Sequence, residues 1–584
     1  MSQHAAKLQQ VQALLADKPE QARAMCQRIV QSAPRDPWAH AVMSGVFLRL
    51  GQTTQALHFA QRAHALAPQE PALAVEHARL LGIENQPEKG IALMRAVLAT
   101  SPAHTGAGQT LATLLEQVEQ HAEAEKVCRA GLAHATGDEG LEAILAGSLL
   151  NLGRIEETVA LMEAASDRHP HSTHLASGLA LMLNYMPGRT PEQVFAAHRR
   201  YAALLEASDP FPPRNYLNSR DPGKRLRVGI LSPDLRQHSV ASFMEPWFEH
   251  ADAATIEFFV YQTNRIADGV TARLRALVEG KKGRWQVMDN ISDHALAEKV
   301  FADRVDVLVE LSGHTHAHSL AAMHRRPAPV QATYLGYPNT TGLRAIDYRI
   351  VDSHTDPAGA EAFASEKLLR LDPCFLCYKP PTSTITPPSA IRDPQSPITF
   401  GSFNTPQKLN TGVIRVWARV LRESPGSRLL LKGGHPDDHG LREGVLARFA
   451  AAGADVSRVE FLARTKGLEE HLALYGRVDV ALDPFPYNGT TTTCEALFMG
   501  VPVVTLEGRT HAGRVGASLL RCVGEEGLIA RDEDEYVRIA AGTAGGRRRG
   551  ELRERLLASA LCDGPGFARR MEGALRGAWA AWVG

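Results

Sequence analysis

From residue 34 onward a proline returns every 34 positions. Pro34, Pro68, Pro102 and Pro170 share one register, and Thr136 fills the remaining slot. Other columns keep the same step. Ala22, Ala56, Gly90, Ala124 and Thr158 form a small-residue column; Ala63, Val97, Gly131 and Ala165 form a second, and Leu50-Gly51 recurs as Leu152-Gly153. A repeat of this length is one unit of two antiparallel helices, which buries its apolar face only by stacking on its neighbours. Small residues let the helices approach closely, and proline stops the second helix of each pair. Such arrays seldom carry chemistry; they form a curved groove that holds another polypeptide. The chemistry is therefore expected in the rest of the chain.

The period and its columns are those of tetratricopeptide repeats, about five units from residue 3 to residue 180. The whole chain has 584 residues, too many for one domain, and three or four are expected at roughly 150 residues each. Lys+Arg and Asp+Glu both number 64, so the net charge is zero and there is no electrostatic footprint for nucleic acid. The run Arg547-Arg548-Arg549 reads as a solvated loop. The amino end lacks a charged-then-apolar leader, and no stretch approaches the roughly 20 apolar residues of a membrane span. A cytoplasmic chain without a membrane span is expected. Seven cysteines are scattered, and only Cys374 and Cys377 form a CxxC pair. With no second pair for zinc and no helix start for redox chemistry, they read as inert thiols in a strand-like segment, FLCYKPP.

Helical patterning continues through PEQVFAAHRRYAALLEA to Ser208, and the prolines of 208–223 read as a linker. From 224 the texture changes to valine-, isoleucine- and leucine-rich runs alternating with helices. The expected strands are 226–232, 257–263, 305–311, 330–337 and 348–352; a proline-, serine- and threonine-rich break at 379–397 follows. Strands then resume at 398–403, 428–432, 459–462, 478–483 and 501–506, and helices over 551–562 and 566–582 end the chain. Near-continuous apolar strands separated by helices imply parallel sheets covered on both faces. The expected fold is therefore an all-α repeat superhelix over 1–207, followed by two Rossmann-like α/β lobes over 208–390 and 391–584. Ligands of such sheets sit at the carboxyl ends of strands, so residues just after strands take priority.

Four segments meet that condition. In YNGTTTTCEALFMGVPVVTL (487–506), Asn488-Gly489 supplies a tight turn, and Thr490, Thr491, Thr492 and Thr493 open a short helix. Hydroxyls beside the free amides of a helix start suit a diphosphate. Glu495 either completes a capping box with Thr492 or accepts hydrogen bonds from ribose hydroxyls. In SFNTPQKLNTGVIRVW (402–417), Lys408 precedes a helix that starts at Asn410 or Thr411; a lysine there can meet charge developing on a leaving diphosphate, or simply face solvent. In ILSPDLRQHSVASFMEP (230–246), Asp234 and His238 follow a strand. Either could take a proton, though a lone loop histidine more often caps a helix. In 310–342, His314, His316, His318 and His324 cluster without acidic or cysteine partners at ligand spacing, which speaks against a metal site. Gly313-His314-Thr315 and Leu335-Gly336-Tyr337-Pro338 read instead as tight turns facing a ligand. No Asp-x-Asp motif follows a strand, and Asp532-Glu533-Asp534 reads as a helix cap, so a metal-dependent single-sheet transferase is disfavoured.

Together the segments LRVGILSPDLRQHSVASFMEP, VDVLVELSGHT, RRPAPVQATYLGYPNTTGL, GSFNTPQKLN and VDVALDPFPYNGTTTTCEALFMGVPVVTL resemble the bacterial relatives of protein O-linked N-acetylglucosamine transferase. That family joins tetratricopeptide repeats to a two-lobed glycosyltransferase of the B type. The resemblance spans nearly the whole chain and implies roles residue by residue. Lys408 matches the lysine that contacts the donor diphosphate, Thr491 and Thr492 the phosphate-binding pair, and Glu495 the acidic ribose ligand. His238 and Asp234 match groups proposed as base or positioning residues, Gly336 the turn that contacts the sugar, and His471 a base-stacking histidine. Thr490 stands where animal enzymes carry histidine, and NGTTTT also resembles plant relatives that transfer fucose from a guanosine nucleotide.

The implied activity is inverting, metal-independent transfer of N-acetylglucosamine from its uridine diphosphate donor to serine or threonine hydroxyls of a protein held by the repeats. It needs no cofactor beyond the nucleotide sugar. Use of guanosine diphosphate fucose, a non-catalytic repeat scaffold and a nucleotide-sugar epimerase are the alternatives. A surface-appendage subunit such as flagellin is the acceptor suggested by analogy.

Overall fold

The computed structural model describes residues 4–15, 18–381, 397–433, 438–543 and 549–584. Most of the 379–397 break and Arg547-Arg548 lie outside the described residues. The chain divides into two compact units, residues 1–152 with 160–169 and 435–441, and residues 153–159, 170–434 and 442–584.

The first unit is all helix: α1 (Ala5–Leu14), α2 (Pro19–Ser32), α3 (Pro37–Arg49), α4 (Thr53–Leu66), α5 (Pro71–Ile83), α6 (Pro87–Thr100), α7 (Thr105–Gln117), α8 (His121–His134), α9 (Glu139–Asn151) and the greater part of α10 (Ile155–Arg168). The helices pack in sequential pairs. Each second helix stops two residues before the 34-residue column. α2 ends at Ser32 before Pro34, α4 at Leu66 before Pro68, α6 at Thr100 before Pro102, and α8 at His134 before Thr136. Proline restricts the residue before it away from the helical region, so the helix closes one turn position early. Ala22, Ala56 and Ala124 of the first small-residue column are fully buried. A Cβ on Gly90 would lie 2.7 Å from Leu114 Cδ1 and 3.0 Å from the Ala78 carbonyl oxygen, so the helices meet there too closely for a side chain.

The second unit begins with α11 (Thr173–Met182) and α12 (Pro191–Ser208). The sequence places both with the repeats; the structure packs both on the sheet that follows. Tyr201 and Ala202 of α12 share a core with Leu231, Phe259 and Leu308. Residues 210–221, expected as a linker, carry no helix or strand, yet they are pinned. Arg214 Nε donates to the Arg325 carbonyl at 2.9 Å, and Tyr216 Oη to that of Arg326 at 2.8 Å.

Two parallel sheets follow. The first has strands β1 (Leu226–Ser232), β2 (Ile256–Gln262), β3 (Arg284–Val287), β4 (Val307–Glu310), β5 (Val330–Tyr334), β6 (Tyr348–Val351) and β7 (Lys367–Arg370), in the spatial order 3-2-1-4-5-6-7. The second has β8 (Thr399–Ser402), β9 (Arg428–Lys432), β10 (Val459–Leu462), β11 (Val480–Leu482), β12 (Val503–Leu506) and β13 (Ile529–Ala530), in the order 10-9-8-11-12-13. The helices between the strands of the first sheet are α13 (Ser239–His250), α14 (Gly269–Gly280), α15 (Asp293–Ala302) and the short α16 (Leu320–His324). Those of the second are α17 (Thr411–Glu423), α18 (His439–Ala451), α19 (Leu468–Leu474), α20 (Thr491–Phe498), α21 (Val515–Val523) and α22 (Glu533–Gly542), with α23 (Arg549–Ala558) and α24 (Gly564–Val583) at the end. Both sheets are doubly wound, and the strand order reverses between β1 and β4 in one and between β8 and β11 in the other. Crevices open at such reversals, beyond the carboxyl ends of the strands.

β1, β9 and β10 begin and end where the apolar runs do. Three edge strands were not expected from sequence: β3, β7 and the two-residue β13. FLCYKPP, expected as strand-like, carries no strand; it is a buried connection whose Tyr378 amide donates to the Leu561 carbonyl. Cys374, just before it, and Cys377 within it are buried free thiols that burial pushes upward in pKa, consistent with inert packing. In Cys374 the hydrogen bond with Cys522 contributes still more to that rise. The last helix returns to the first sheet. α24 packs on α13, and Trp579 Nε1 donates to the Asp221 carbonyl at 3.1 Å.

The sheets are joined by a buried charge cluster. Arg349 of β6 reaches Asp356 at 3.1 Å, and His511, which follows β12, meets the same carboxylate. Burial raises the Asp356 carboxyl, but Arg349 and His511 outweigh it and hold it well below the usual range. Removing one member of a buried pair strands the other. Asp356→Ala should therefore destabilise the second unit by about 3–5 kcal/mol, and Asp356→Asn by less. Urea unfolding followed by tryptophan fluorescence reads this, and an unchanged midpoint for the alanine variant would contradict the account.

Candidate active site

The reversal point of the second sheet gathers most of the expected residues. β8 ends at Ser402, and the chain turns through Asn404 into a single 3-10 turn, Pro406–Lys408. β11 ends at Leu482, Asp483 follows, and the turn Asn488-Gly489 leads into α20. Gly489 is obligatory: a Cβ there would sit 2.6 Å from Thr492 Oγ1 and 2.9 Å from both Asp483 Oδ1 and Thr493 Oγ1. Lys408 Nζ donates to the Asn488 carbonyl at 2.7 Å and to Asn404 Oδ1 at 3.2 Å, and lies 4.5 Å from the centre of the Tyr487 ring. Thr492 Oγ1 donates to the same Asn404 Oδ1 at 3.2 Å. One amide oxygen thus ties the lysine to the helix start.

Thr490 is the N-cap residue of α20, and its side chain makes no capping hydrogen bond. Thr491 Oγ1 is buried without a partner. The first turn of α20 is thus left without a side-chain cap and with a free hydroxyl, the condition under which a helix start receives an anion. Of the two helix starts the sequence allowed after Lys408, the structure selects Asn410, whose Oδ1 accepts from the Val413 amide at 2.9 Å. Of the two readings of Glu495, the capping box with Thr492 is not formed, since α20 is capped at Thr490 without a side-chain hydrogen bond. His471 Nε2 lies 3.0 Å from Glu495 Oε2, and Lys432 Nζ contacts the other ring nitrogen. Phe403 and Tyr475 flank the imidazole at ring separations of 5.8 and 5.6 Å.

Part of the Lys408 stem is open, but its ammonium is surrounded by protein. That desolvation pushes its pKa down to about 8, against the opposing charge of Asp483. Asp483 is fully enclosed. Burial pushes its carboxyl up to about 7, resisted by hydrogen bonds from Thr505 and Gly489 and by Lys408. These groups face each other across the β8–β11 reversal.

The reversal point of the first sheet holds the other residues. His238 is the N-cap of α13, as the plainer reading of a loop histidine anticipates, and its Nδ1 accepts from the Val240 amide at 3.3 Å. Asp234 lies in the same loop, 3.6 Å from Arg236 Nη2. Gly336 is packed so tightly that a Cβ would fall 1.7 Å from the Leu311 carbonyl oxygen; no other residue fits. His314 is buried with both ring nitrogens engaged, one with Ser177 Oγ at 2.8 Å and the other with the Thr341 carbonyl at 2.9 Å. It braces α11 against the strand ends and has no ring nitrogen left to offer a ligand. His318 meets the same serine hydroxyl, and His324 the Asp209 carbonyl. Among the described residues, no group of three or more His, Cys, Asp or Glu side chains is placed to hold a metal ion. Asp532 caps α22, while Glu533 and Asp534 pair with Arg415 and Arg419.

The structure therefore unites Lys408, Thr490, Thr491 and Thr492 at one end of the second crevice, and Glu495 with His471 beside them. A line of contacts runs from the first sheet toward this group. Tyr337, next to Gly336, accepts from Asn184 at 2.8 Å; Tyr185 stacks on Tyr487 at 4.6 Å; and Lys408 lies over Tyr487. Sequence reasoning missed Asn404, Asp483, Tyr487 and Lys432, and read Asn488 only as a turn residue. Their shared signal is position, since each lies at or just beyond the carboxyl end of β8, β9 or β11.

Two doubly wound sheets, with an anion-suited helix start at the reversal of the second, define the B-type glycosyltransferase architecture. The profile described as Glycosyl transferase family 41 matches residues 210–379 and 378–558, and the chain belongs to that family. Among curated relatives, the chain is 39% identical over 417 residues to a probable UDP-N-acetylglucosamine–peptide N-acetylglucosaminyltransferase, SPINDLY, of Arabidopsis thaliana, covering 70% of this chain and 45% of that protein. It is likewise 39% identical over 417 residues to the same-named protein of Solanum lycopersicum, covering 70% and 44%. It thus spans less than half the length of these relatives. Among solved structures, a point mutant of the Thermobaculum terrenum O-GlcNAc transferase superposes with a TM-score of 0.81 at 32% identity, covering 87% of this chain and 97% of that one.

Because Thr491 Oγ1 has no partner, Thr491→Val removes no hydrogen bond from the folded protein and relieves a desolvated hydroxyl. Its thermal unfolding midpoint should equal or exceed that of the parent protein. A drop worth more than about 1 kcal/mol would mean that the hydroxyl is satisfied within the fold.

Proposed function

We propose that this chain is an inverting, metal-independent glycosyltransferase that moves N-acetylglucosamine from UDP-N-acetylglucosamine to serine or threonine hydroxyls of a protein. The observation that carries the reading is the convergence of Lys408 and Thr492 on Asn404 Oδ1, beside the unpartnered Thr491 hydroxyl and the uncapped start of α20. A cation, a free hydroxyl and exposed helix amides make a receptor for a diphosphate. The names of the most similar curated relatives and of the superposed bacterial enzyme support the donor and the acceptor class.

In this mechanism the acceptor hydroxyl attacks the anomeric carbon as the bond to the diphosphate breaks. Lys408 and the α20 amides take up the charge that develops on the leaving oxygen, where preorganised donors act most strongly. His471 and Glu495 hold the nucleoside end, and the turn at Gly336, closed tightly against the Leu311 backbone, contacts the sugar. His238 acts as a donor here. While its Nδ1 accepts from Val240, the neutral ring carries its proton on Nε2 and cannot abstract another there. The acceptor's proton then leaves to Asp234 or to a phosphate oxygen of the donor. The repeats hold the polypeptide to be modified, and the reaction takes place in the cytoplasm.

A second donor has one specific observation in its favour. Thr490, within a run of four threonines, stands where the resemblance to the animal enzymes calls for histidine, which matches relatives that use guanosine diphosphate fucose. Calorimetry with UDP-N-acetylglucosamine and GDP-fucose, followed by intact-mass spectrometry of acceptors, separates one N-acetylhexosamine from one deoxyhexose. Incubation with donor alone exposes an epimerase, and absence of donor binding would leave only a scaffold.

Lys408→Ala should lower kcat by about 100- to 1,000-fold while changing donor affinity far less. Near-normal turnover in that variant would overturn the mechanism.

A further inference from the structure

Lys408 and Asp483 are joined by a single peptide group. The Asn488–Gly489 peptide accepts from Lys408 Nζ through its carbonyl at 2.7 Å and donates its N–H to Asp483 Oδ1 at 2.6 Å. The two charges therefore lie no more than about 8 Å apart, at opposite ends of one aligned dipole. The second carboxylate oxygen is held by Thr505 Oγ1 at 2.7 Å, and the Tyr536 hydroxyl bonds the Asp483 carbonyl at 3.0 Å. Asp483 is 1% exposed, out of reach of a ligand that fills the crevice. Two further titratable groups pack against the pair, Tyr487 under the ammonium and Tyr536 on the Asp483 carbonyl. Burial drives both far up in pKa, so they stay neutral through the physiological range.

We infer that Asp483 is a positioning residue that acts through the Asn488–Gly489 peptide, keeping Lys408 charged and aimed at the leaving group. The inference rests on the role proposed above for Lys408. A buried ammonium loses its proton more easily, and a neighbouring carboxylate opposes that loss. Without Asp483 the lysine would stand neutral over part of the working pH range and would contribute hydrogen bonds but no charge. The Asn488–Gly489 peptide does a second task, since the same group sets the turn that starts α20. Charge on Lys408 and the geometry of the phosphate cradle are thus fixed by one carboxylate.

The direction of the pH effect follows. Asp483 loses its proton as pH rises through about 7, and Lys408 loses its own through about 8, so both are charged only in between. Turnover should fall through an alkaline limb near 8, where Lys408 loses its charge. Asp483→Asn keeps the acceptor for the Gly489 amide and removes the charge. It should move the alkaline limb down by about one unit and lower kcat at pH 8 by about fivefold, with donor KM changed less than about threefold. Asp483→Glu should restore part of the shift.

A direct readout does not need turnover. With lysines reductively methylated with carbon-13, the Lys408 resonance, assigned by its loss in Lys408→Arg, should titrate in two coupled steps in the unsubstituted protein. In Asp483→Asn it should titrate in one step at lower pH. An unmoved lysine midpoint and an unmoved alkaline limb in Asp483→Asn would reduce Asp483 to a structural anchor and overturn the inference. Should that variant not fold, a single-step Lys408 titration in the unsubstituted protein overturns it equally. Near-normal turnover of Lys408→Ala would instead sink the role of Lys408, while the resonance would still report whether the two charges are coupled.

Discussion

A lysine enclosed by protein and an aspartate buried behind it are the constraint around which the second sheet's crevice is arranged. Burial disfavours the charged form of each, and each opposes that effect in the other. Their separation by one peptide group lets each stabilise the other without forming a contact ion pair, which would occupy the ammonium proposed above to meet a diphosphate. The arrangement fixes much else. Gly489 must be glycine because three side-chain oxygens crowd its Cα, and Thr505 must carry a hydroxyl to hold the carboxylate. Asn404 must follow β8 closely enough to bridge Lys408 and Thr492. The strand order places these residues together, because β8 and β11 are neighbours in the sheet although nearly 80 residues separate them in sequence.

The fold was legible in the sequence where burial is two-sided. Strands such as LRVGILS and RLLLK carry near-continuous apolar runs because helices cover both faces, and their bounds coincide with those expected from these runs. Three of the four edge strands lack that signal. RWQV has one buried residue and KLLR none, neither alternates cleanly, and β13 is two residues long. FLCYKPP misled for the opposite reason. It is as apolar as a strand because it is buried, but its backbone partners are scattered over a helix end and a loop rather than aligned along a neighbour. Burial dictates composition, whereas pairing depends on topology, which a local run does not encode.

The site was legible in proportion to how far its chemistry is written locally. Asn-Gly, four threonines and a following glutamate sit within eight residues, and a lysine after a strand is conspicuous. The partners that tune these groups are separated from them in sequence. Asp483 looks like any residue ending a strand, and Lys432 like a polar strand end; only the sheet order reveals that one lies behind Lys408 and the other beside His471. His314 shows the converse. Its Gly-His-Thr context suggested a turn facing a ligand, but Ser177, 137 residues earlier, takes one ring nitrogen and makes the histidine a brace. A repeat-like pattern in α11 and α12 concealed that contact, because helical periodicity reports that a face is buried and not what buries it.

The fate of α11 and α12 carries a consequence for how the second unit works. Their 34-residue neighbours stack on one another, whereas this pair supplies Ser177 to His314, Asn184 and His198 to Tyr337, and Tyr185 to Tyr487. Two of the turns singled out in the first sheet, and the aromatic face beneath Lys408, are thereby braced by the same helical hairpin. A displacement of that hairpin would act on Tyr337 and Tyr487 together. Such coupling needs no contact between ligand and hairpin, only that Tyr185 remain stacked where the lysine rests on Tyr487. The hairpin is accordingly part of the catalytic unit's own architecture. The geometry around Gly336 and the placement of Lys408 depend on it as directly as on the sheets.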